Sequence, residues 1–255
     1  MSDNDHDIDT AAARLLQARR SQQAQPALAL ADVAAAYAVQ DRVAAALGWF
    51  ADGPPRHWKS GGPSRQAPLT HAALPPAGIW PSPAQAGAWP FHQRGIEAEL
   101  ALRLRQPVDA QQAAALDLVQ ARALVDAMCV SIEIVDSRWA EGLQAPALAK
   151  LADLQAHGAL VLGDWLPFDA ARDWAAQACQ VAIGQQPVRH FVGSHSMADP
   201  VFVLPAWLRH ATRHGAVVPA GTVVTTGTWC GLLPAQAGDK VAVRFEGIGQ
   251  ASLQL

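Results

Sequence analysis

Residues 95–100 read GIEAEL, and the two acids in that stretch, Glu97 and Glu99, stand two positions apart in an otherwise apolar run of Ile96, Ala98, Leu100, Leu102 and Leu104. A strand turns successive side chains to opposite faces, so this spacing puts both carboxylates on one face, within reach of each other. A third acid, Glu133, lies in CVSIEIVDSRW, which also reads as a strand, with Glu133 on the face opposite Ile132 and Ile134. If the two strands are neighbours, three carboxylates converge. Like charges that close push one another's pKa upward unless a cation lies between them. An oxygen-only ligand set suits Mg2+ or Mn2+ rather than zinc. An octahedral ion held by three carboxylates keeps three positions open, two for a bidentate ligand and one for water. The same E-x-E spacing equally suits a solvated polar face, which Arg103 and Arg105 would continue. Spacing alone leaves both readings open.

Three glutamates and a divalent ion make a net negative site, so an anionic substrate needs basic help. Two candidates stand in polar contexts: Lys59 in HWKSGGPSR and Arg138 in EIVDSRW. Lys59 would end a short strand before a Gly61-Gly62 turn whose backbone N–H groups could also face an anion.

The elements that must position these groups follow from the pattern. Helical spacing marks 9–22 and 32–47, the second opened by Asp32 as N-cap and stopped by Gly48. Residues 49–90 are rich in Pro and Gly and read as short strands, turns and a mobile flap. A strand over 94–105, a helix over 110–127, the Glu133 strand, a helix or helical turn over 145–158 and an apolar strand at ALVLGDW come next. A helix over 200–214 must bend or start late at Pro205. The tail carries at least three β segments separated by AGD and GIG turns. Helices precede and interrupt strands that cluster late, so the fold class is α+β. The chain divides into residues 1–90, helices and flap, and residues 91–255, a β-rich catalytic core.

Of the 255 residues 51% are hydrophobic and 16% charged, with net charge −3, a globular composition without the basic footprint of a nucleic-acid binder. Apolar runs break before membrane-spanning length, and the acidic start MSDNDHDIDT is unlike a signal peptide, so a cytoplasmic protein without a membrane partner is expected. Cys129, Cys179 and Cys230 have no CxxC spacing and read as small buried residues. The apolar residues and tryptophans of the flap point to a homo-oligomer.

Several segments agree, in order, with one family. Ala36-Tyr37-Ala38-Val39-Gln40 resembles the AYxxQ helix of the 2-keto-4-pentenoate hydratase/4-oxalocrotonate decarboxylase branch of the fumarylacetoacetate hydrolase superfamily. HWKSGGPSR resembles its G-x-K-x-G strand and turn, with His57 where glycine is usual. GIEAELALRL and SIEIVDSRW are similar to its metal-binding strands, and PAGTVVTTGTWCG with GIGQASLQL to its C-terminal strand, glycine loop and final strand. The resemblance spans nearly the whole chain. It implies an N-terminal helical region followed by a mixed β-roll or sandwich core. It makes Glu97, Glu99 and Glu133 the ligands of Mg2+ or Mn2+, and Lys59 the cation beside the substrate's carboxylate or enolate. Gly61, Thr226, Gly227 and Thr228 would line the substrate pocket, Arg138 would orient a carboxylate or support the fold, and Asp136 would stand behind the site or cap its strand.

The activity implied is that of a metal-dependent lyase on a small 2-oxo or 2-hydroxydienoic acid, foremost hydration of 2-hydroxypenta-2,4-dienoate to 4-hydroxy-2-oxopentanoate. A 4-oxalocrotonate-type decarboxylase and an acylpyruvate-type C–C hydrolase are alternatives. Some members carry a His/Glu pair on the flap; here His57, His71 and His92 have no glutamate partner in residues 49–90, which weakens the hydrolase reading. An idle partner subunit and a Schiff-base lyase built on Lys59 are remoter alternatives. His210 and His214, four apart, read as a polar helix face beside Arg209 and Arg213, and Asp199-Pro200 reads as a helix start.

Overall fold

The computed structural model describes residues 3–255. The chain opens with α1 (Asp3–Ser21) and α2 (Val33–Leu47). Asp32 accepts a hydrogen bond from Ala35 N at the start of α2, and Gly48 ends it at φ 64°, the left-handed cap expected of glycine. Four strands come from the Pro/Gly-rich segment: β1 (His57–Gly61), β2 (Thr70–Ala73), β3 (Ile79–Pro81) and β4 (Ala84–Gln85). They are the short strands expected of that segment, and they join both sheets, so sheet pairing runs across residue 90.

Next come β5 (Gly95–Leu104), α3 (Ala110–Ala115), α4 (Leu118–Ala123) and β6 (Val125–Val135). The single helix expected over 110–127 is therefore two short ones. Asp109 with Gln112, and Asp117 with Gln120, form successive capping boxes, and the second restarts the helix. Then follow α5 (Ala147–Ala152), β7 (His157–Leu162), β8 (Leu166–Pro167), β9 (Ala178–Ile183) and β10 (Arg189–Val192). The last two are strands the pattern did not mark. Asp199 accepts from Val201 N and opens a 3-10 turn, and α6 (Leu204–Ala211) carries Pro205 in its first turn, where its missing N–H costs nothing. The chain closes with β11 (Val223–Thr225), β12 (Leu233–Pro234), β13 (Lys240–Phe245) and β14 (Gly249–Gln254).

The larger sheet runs β2-β1-β11-β5-β6-β7-β3, with β12 paired to β5 and β8 to β6; the smaller runs β10-β9-β13-β14-β4. The alternation of β5 decides how they pack. Ile96, Ala98, Leu100 and Leu102 join Val130, Ile132 and Ile134 of β6 in the main core, where Val241, Val243, Phe245 and Leu253 of the smaller sheet also lie. Glu97 and Glu99 consequently face the other way.

α1 and α2 pack with α5 around a second core that includes Leu15, Val39, Val43 and Trp139. Tyr37 and Gln40 of the AYxxQ segment act as ties. The Tyr37 hydroxyl accepts from His71 N at 3.1 Å, and Gln40 Nε2 donates to Leu151 O at 2.6 Å. α2 is thereby pinned to β2 and to α5. All three cysteines are buried and free, and no described helix is long and apolar enough to cross a membrane.

Candidate active site

β5 and β6 pair antiparallel with Glu97 directly opposite Glu133 and Glu99 opposite Ser131. Register alone therefore brings the three acids together, and one carboxylate oxygen of each lies within 4.8 Å of the others. Glu99 and Glu133 are buried and Glu97 is half-buried. Lys59 comes from β1, three strand intervals from β6 in the larger sheet. In a flat sheet that is roughly 14 Å. The sheet curls, and Lys59 Nζ donates to Glu133 Oε1 at 2.5 Å.

Neighbours fix each acid. Glu99 Oε2 accepts from Gly227 N at 3.1 Å and from the Thr225 hydroxyl. Glu133 Oε1 accepts from His157 Nδ1 at 3.0 Å as well as from Lys59. Glu133 Oε2 is buried with no hydrogen-bond partner among the described residues. Lys59 Nζ also donates to Gln155 O at 3.3 Å. That carbonyl is aimed by an unusual backbone: Leu154, Gln155 and Ala156 all stand at positive φ (54°, 56° and 56°) directly after α5. Left-handed conformations cost non-glycine residues roughly 1–2 kcal/mol apiece, so this turn is held by its surroundings. Asp153, fully buried, anchors its start by accepting from Arg138 Nε at 2.7 Å and Arg138 N at 2.8 Å.

The electrostatics follow from burial and crowding. Burial, then the charge of Glu133, pushes Glu97 up to about 7. The same two causes, with Glu97 added, hold Glu99 well above the usual carboxylate range. Burial acts on Glu133 in the same direction, but Lys59 and His157 outweigh it and its pKa falls below the ordinary value. Burial works against charge on Lys59, yet the three carboxylates raise its pKa above that of an ordinary lysine. Lys59 is an ammonium group. Burial leaves His157 below the ordinary histidine value despite the pull of Glu133, so its neutral ring donates Nδ1–H to the carboxylate.

Three converging carboxylates, two with raised pKa values and one with an orphaned buried oxygen, are the kind of donor set that suits a hard divalent cation. Mg2+ and Mn2+ fit it.

Gly61 and Gly227 stand beside the site: a Cβ on Gly61 would lie 3.8 Å from Gly227 Cα. Gly227 adopts φ +102°, which an L side chain rarely takes, and a Cβ there would lie 3.7 Å from His195 Nε2. The Thr226 hydroxyl donates to Leu100 O at 2.8 Å and the Thr228 hydroxyl to Gly231 O at 2.9 Å, so both shape the loop. Arg138 is engaged with Asp153, and Asp136 accepts from His92 N (3.0 Å) and Gln93 N (2.7 Å) at the approach to β5.

His71 meets the Ser60 hydroxyl at 2.9 Å, and burial takes its pKa down to about 3. Its ring packs 4.9 Å from that of His210, which is 4.3 Å from Tyr37. His214 leaves the helix at φ 62°. Residues not singled out from the sequence also form the site: Thr225, Gln155 and His157.

A family profile described as fumarylacetoacetate (FAA) hydrolase C-terminal matches residues 58–255. The chain belongs to the fumarylacetoacetate hydrolase family. Within it, the chain is 32% identical over 166 residues to a 2-hydroxyhexa-2,4-dienoate hydratase of Comamonas testosteroni, covering 64% of this chain and 60% of that protein. It is 29% identical over 161 residues to 2-keto-4-pentenoate hydratase 2 of Dechloromonas aromatica (strain RCB), covering 63% of this chain and 60% of that protein. The aligned region thus spans three fifths of these relatives' length. The 4-oxalocrotonate decarboxylase of Pseudomonas putida G7, solved with magnesium and adipate, superposes with a TM-score of 0.84 at 18% identity, over 99% of this chain and 98% of that one. That likeness establishes the fumarylacetoacetate hydrolase fold over the whole chain.

Proposed function

We propose that the chain is a divalent-metal-dependent hydratase of a short 2-hydroxydienoic acid, converting 2-hydroxypenta-2,4-dienoate and water to 4-hydroxy-2-oxopentanoate. The observation that carries this reading is the convergence of Glu97, Glu99 and Glu133 within 4.8 Å, with Lys59 held against Glu133. Likeness to two hydratases supports the choice of reaction. So does the absence of a Glu partner for the flap histidines in residues 49–90.

Glu97, Glu99 and Glu133 would hold Mg2+ or Mn2+, which when bound supplies a Lewis acid to a chelating 2-oxo acid. The remaining work falls to the chain. Gly227 N and Thr225 orient Glu99, and His157 and Lys59 orient Glu133. In the reaction the 2-hydroxyl loses its proton, C5 gains one, water adds at C4 and C3 takes the last proton. Negative charge gathers on the C2 oxygen along that course. The Lys59 ammonium, fixed between Glu133 and Gln155 O, offsets that charge without rearranging. A protonated lysine cannot attack a carbonyl, so the same raised pKa argues against the Schiff-base alternative.

The test is the ultraviolet absorbance of the dienol, followed with Mg2+ or Mn2+, with chelator, and with Glu97→Ala, products being identified by mass. Metal-dependent decay yielding 4-hydroxy-2-oxopentanoate supports the reading. Decay that survives both chelation and Glu97→Ala, or a wild type that binds metal and leaves the dienol untouched, overturns it.

A further inference from the structure

The peptide between Thr226 and Gly227 is trans, so its carbonyl and its N–H point in opposite directions. Both ends are engaged. Gly227 N donates to Glu99 Oε2 at 3.1 Å, and Thr226 O accepts from His195 Nε2 at 2.8 Å. One peptide plane therefore links the acidic cluster to a histidine from a separate segment, the loop between β10 and α6. His195 is buried, and its other ring nitrogen, Nδ1, accepts from Met197 N at 3.3 Å. That bond leaves the ring proton on Nε2 and makes the ring a donor to Thr226 O. Burial takes the pKa of His195 down to about 4, so the ring is neutral near pH 7. The adjacent Ser194 hydroxyl donates to Trp229 O, so the same segment grips the glycine loop at both ends.

The loop needs such a grip. Gly227 stands at φ +102° with no side chain to restrict it, so its own sterics do not set the direction of its N–H. We infer that His195 is a positioning residue of the acidic cluster: by holding Thr226 O it keeps the Gly227 N–H on Glu99. On the reading proposed above, it thereby fixes one of the three carboxylates that bind the divalent ion. Hydrogen bonds in series polarise one another, so the His195 bond strengthens the donation to Glu99 as well as aiming it.

Thr226–Gly227 is the one Thr-Gly step in the sequence. Labelling threonine carbonyls with 13C and glycine nitrogens with 15N therefore gives a single carbonyl–amide correlation by nuclear magnetic resonance, read on the full metal-free chain. Two variants separate the bonds of the ring. His195→Gln puts an amide N–H where Nε2 stood and can keep the bond to Thr226 O; His195→Asn puts its amide where Nδ1 stood and can keep only the bond from Met197 N. The expected result is a Gly227 amide proton close to wild type in His195→Gln and moved upfield in His195→Asn. Mn2+ affinity, measured by calorimetry, should be roughly tenfold weaker in His195→Asn and largely restored in His195→Gln. A correlation unmoved in His195→Asn, or one that moves while Mn2+ affinity stays, overturns the inference and leaves the metal site standing. An equal loss of affinity in both variants assigns the effect to packing of the ring and overturns it too. A long-range proton–nitrogen spectrum of the wild type must also place the His195 proton on Nε2; a proton on Nδ1 overturns the inference even if neither variant folds. A wild type that binds no Mn2+ overturns the functional reading and this inference together.

Discussion

His157 Nδ1 donates to Glu133 Oε1 at 3.0 Å, the same oxygen that Lys59 Nζ holds at 2.5 Å. A buried carboxylate with two donors on one oxygen and none on the other presents that other oxygen to a cation. Replacing His157 by Ala therefore loosens a proposed metal ligand without removing it. Divalent-ion affinity is expected to fall roughly 10- to 100-fold, with partial recovery in His157→Asn, whose amide can stand where Nδ1 stood. Calorimetric titration with Mn2+ of the two variants checks this.

The raised pKa values of Glu97 and Glu99 make metal binding a proton-releasing step. Protons and metal compete for the same oxygens, and Glu97 is half-protonated near pH 7 in the free chain. Apparent affinity should rise with pH between about 6 and 8, by up to tenfold per unit for each proton displaced. Titrations in two buffers of different ionisation enthalpy count the protons released at pH 7. A pH-independent affinity would contradict the buried-cluster electrostatics.

Lys59→Met removes the ammonium group that bonds Glu133 in the cluster. Turnover is expected to drop roughly 10²- to 10³-fold, the scale of losing one preorganised stabiliser of developing charge, and Lys59→Arg is expected to recover little of it, since a guanidinium is planar and bulkier than the ammonium that bonds Glu133 and Gln155 O. Borohydride added with substrate should trap no adduct on the wild type. Steady-state kinetics and intact mass measure the two effects.

The sequence showed the chemistry of the site more fully than its supports. Period-two alternation around Glu97, Glu99 and Glu133 marked two strands that the structure pairs directly. What alternation could not supply was register across distant strands, since Lys59 reaches Glu133 only because the larger sheet curls. His157 and Gln155 were hidden for a local reason: residues 145–158 have helical composition, yet α5 stops at Ala152 and three non-glycine residues turn left-handed. Nothing in Leu-Gln-Ala announces positive φ, and the buried Asp153–Arg138 pair that anchors the start of the turn is a contact of the folded chain. Thr225 was missed by one position, because Thr226 and Thr228 stand in the loop and the hydroxyl on Glu99 comes from the strand's last residue. The Pro/Gly-rich run read as short strands, turns and a mobile flap, and β1 to β4 are too short for a period to mark their bounds.

Arg138 illustrates a residue whose part is structural. Its guanidinium and backbone N–H both rest on Asp153, which also receives Arg19 at 3.2 Å. Asp153→Ala strands buried positive charge and frees the turn that aims Gln155 O, and a loss of about 3–5 kcal/mol is expected. Urea denaturation measures it, and a change below about 1 kcal/mol would show the turn to be held by other contacts.

The account turns on whether the three glutamates bind a divalent ion that a 2-oxo acid can reach. Electron paramagnetic resonance of Mn2+ titrated into the chain, with and without 2-oxopentanoate, asks this directly. One bound Mn2+ per chain is predicted, with its spectrum altered by the acid and its affinity at least tenfold weaker in Glu133→Gln. Free Mn2+ at all ratios, or a bound ion indifferent to the replacement of Glu97, Glu99 and Glu133, would contradict it.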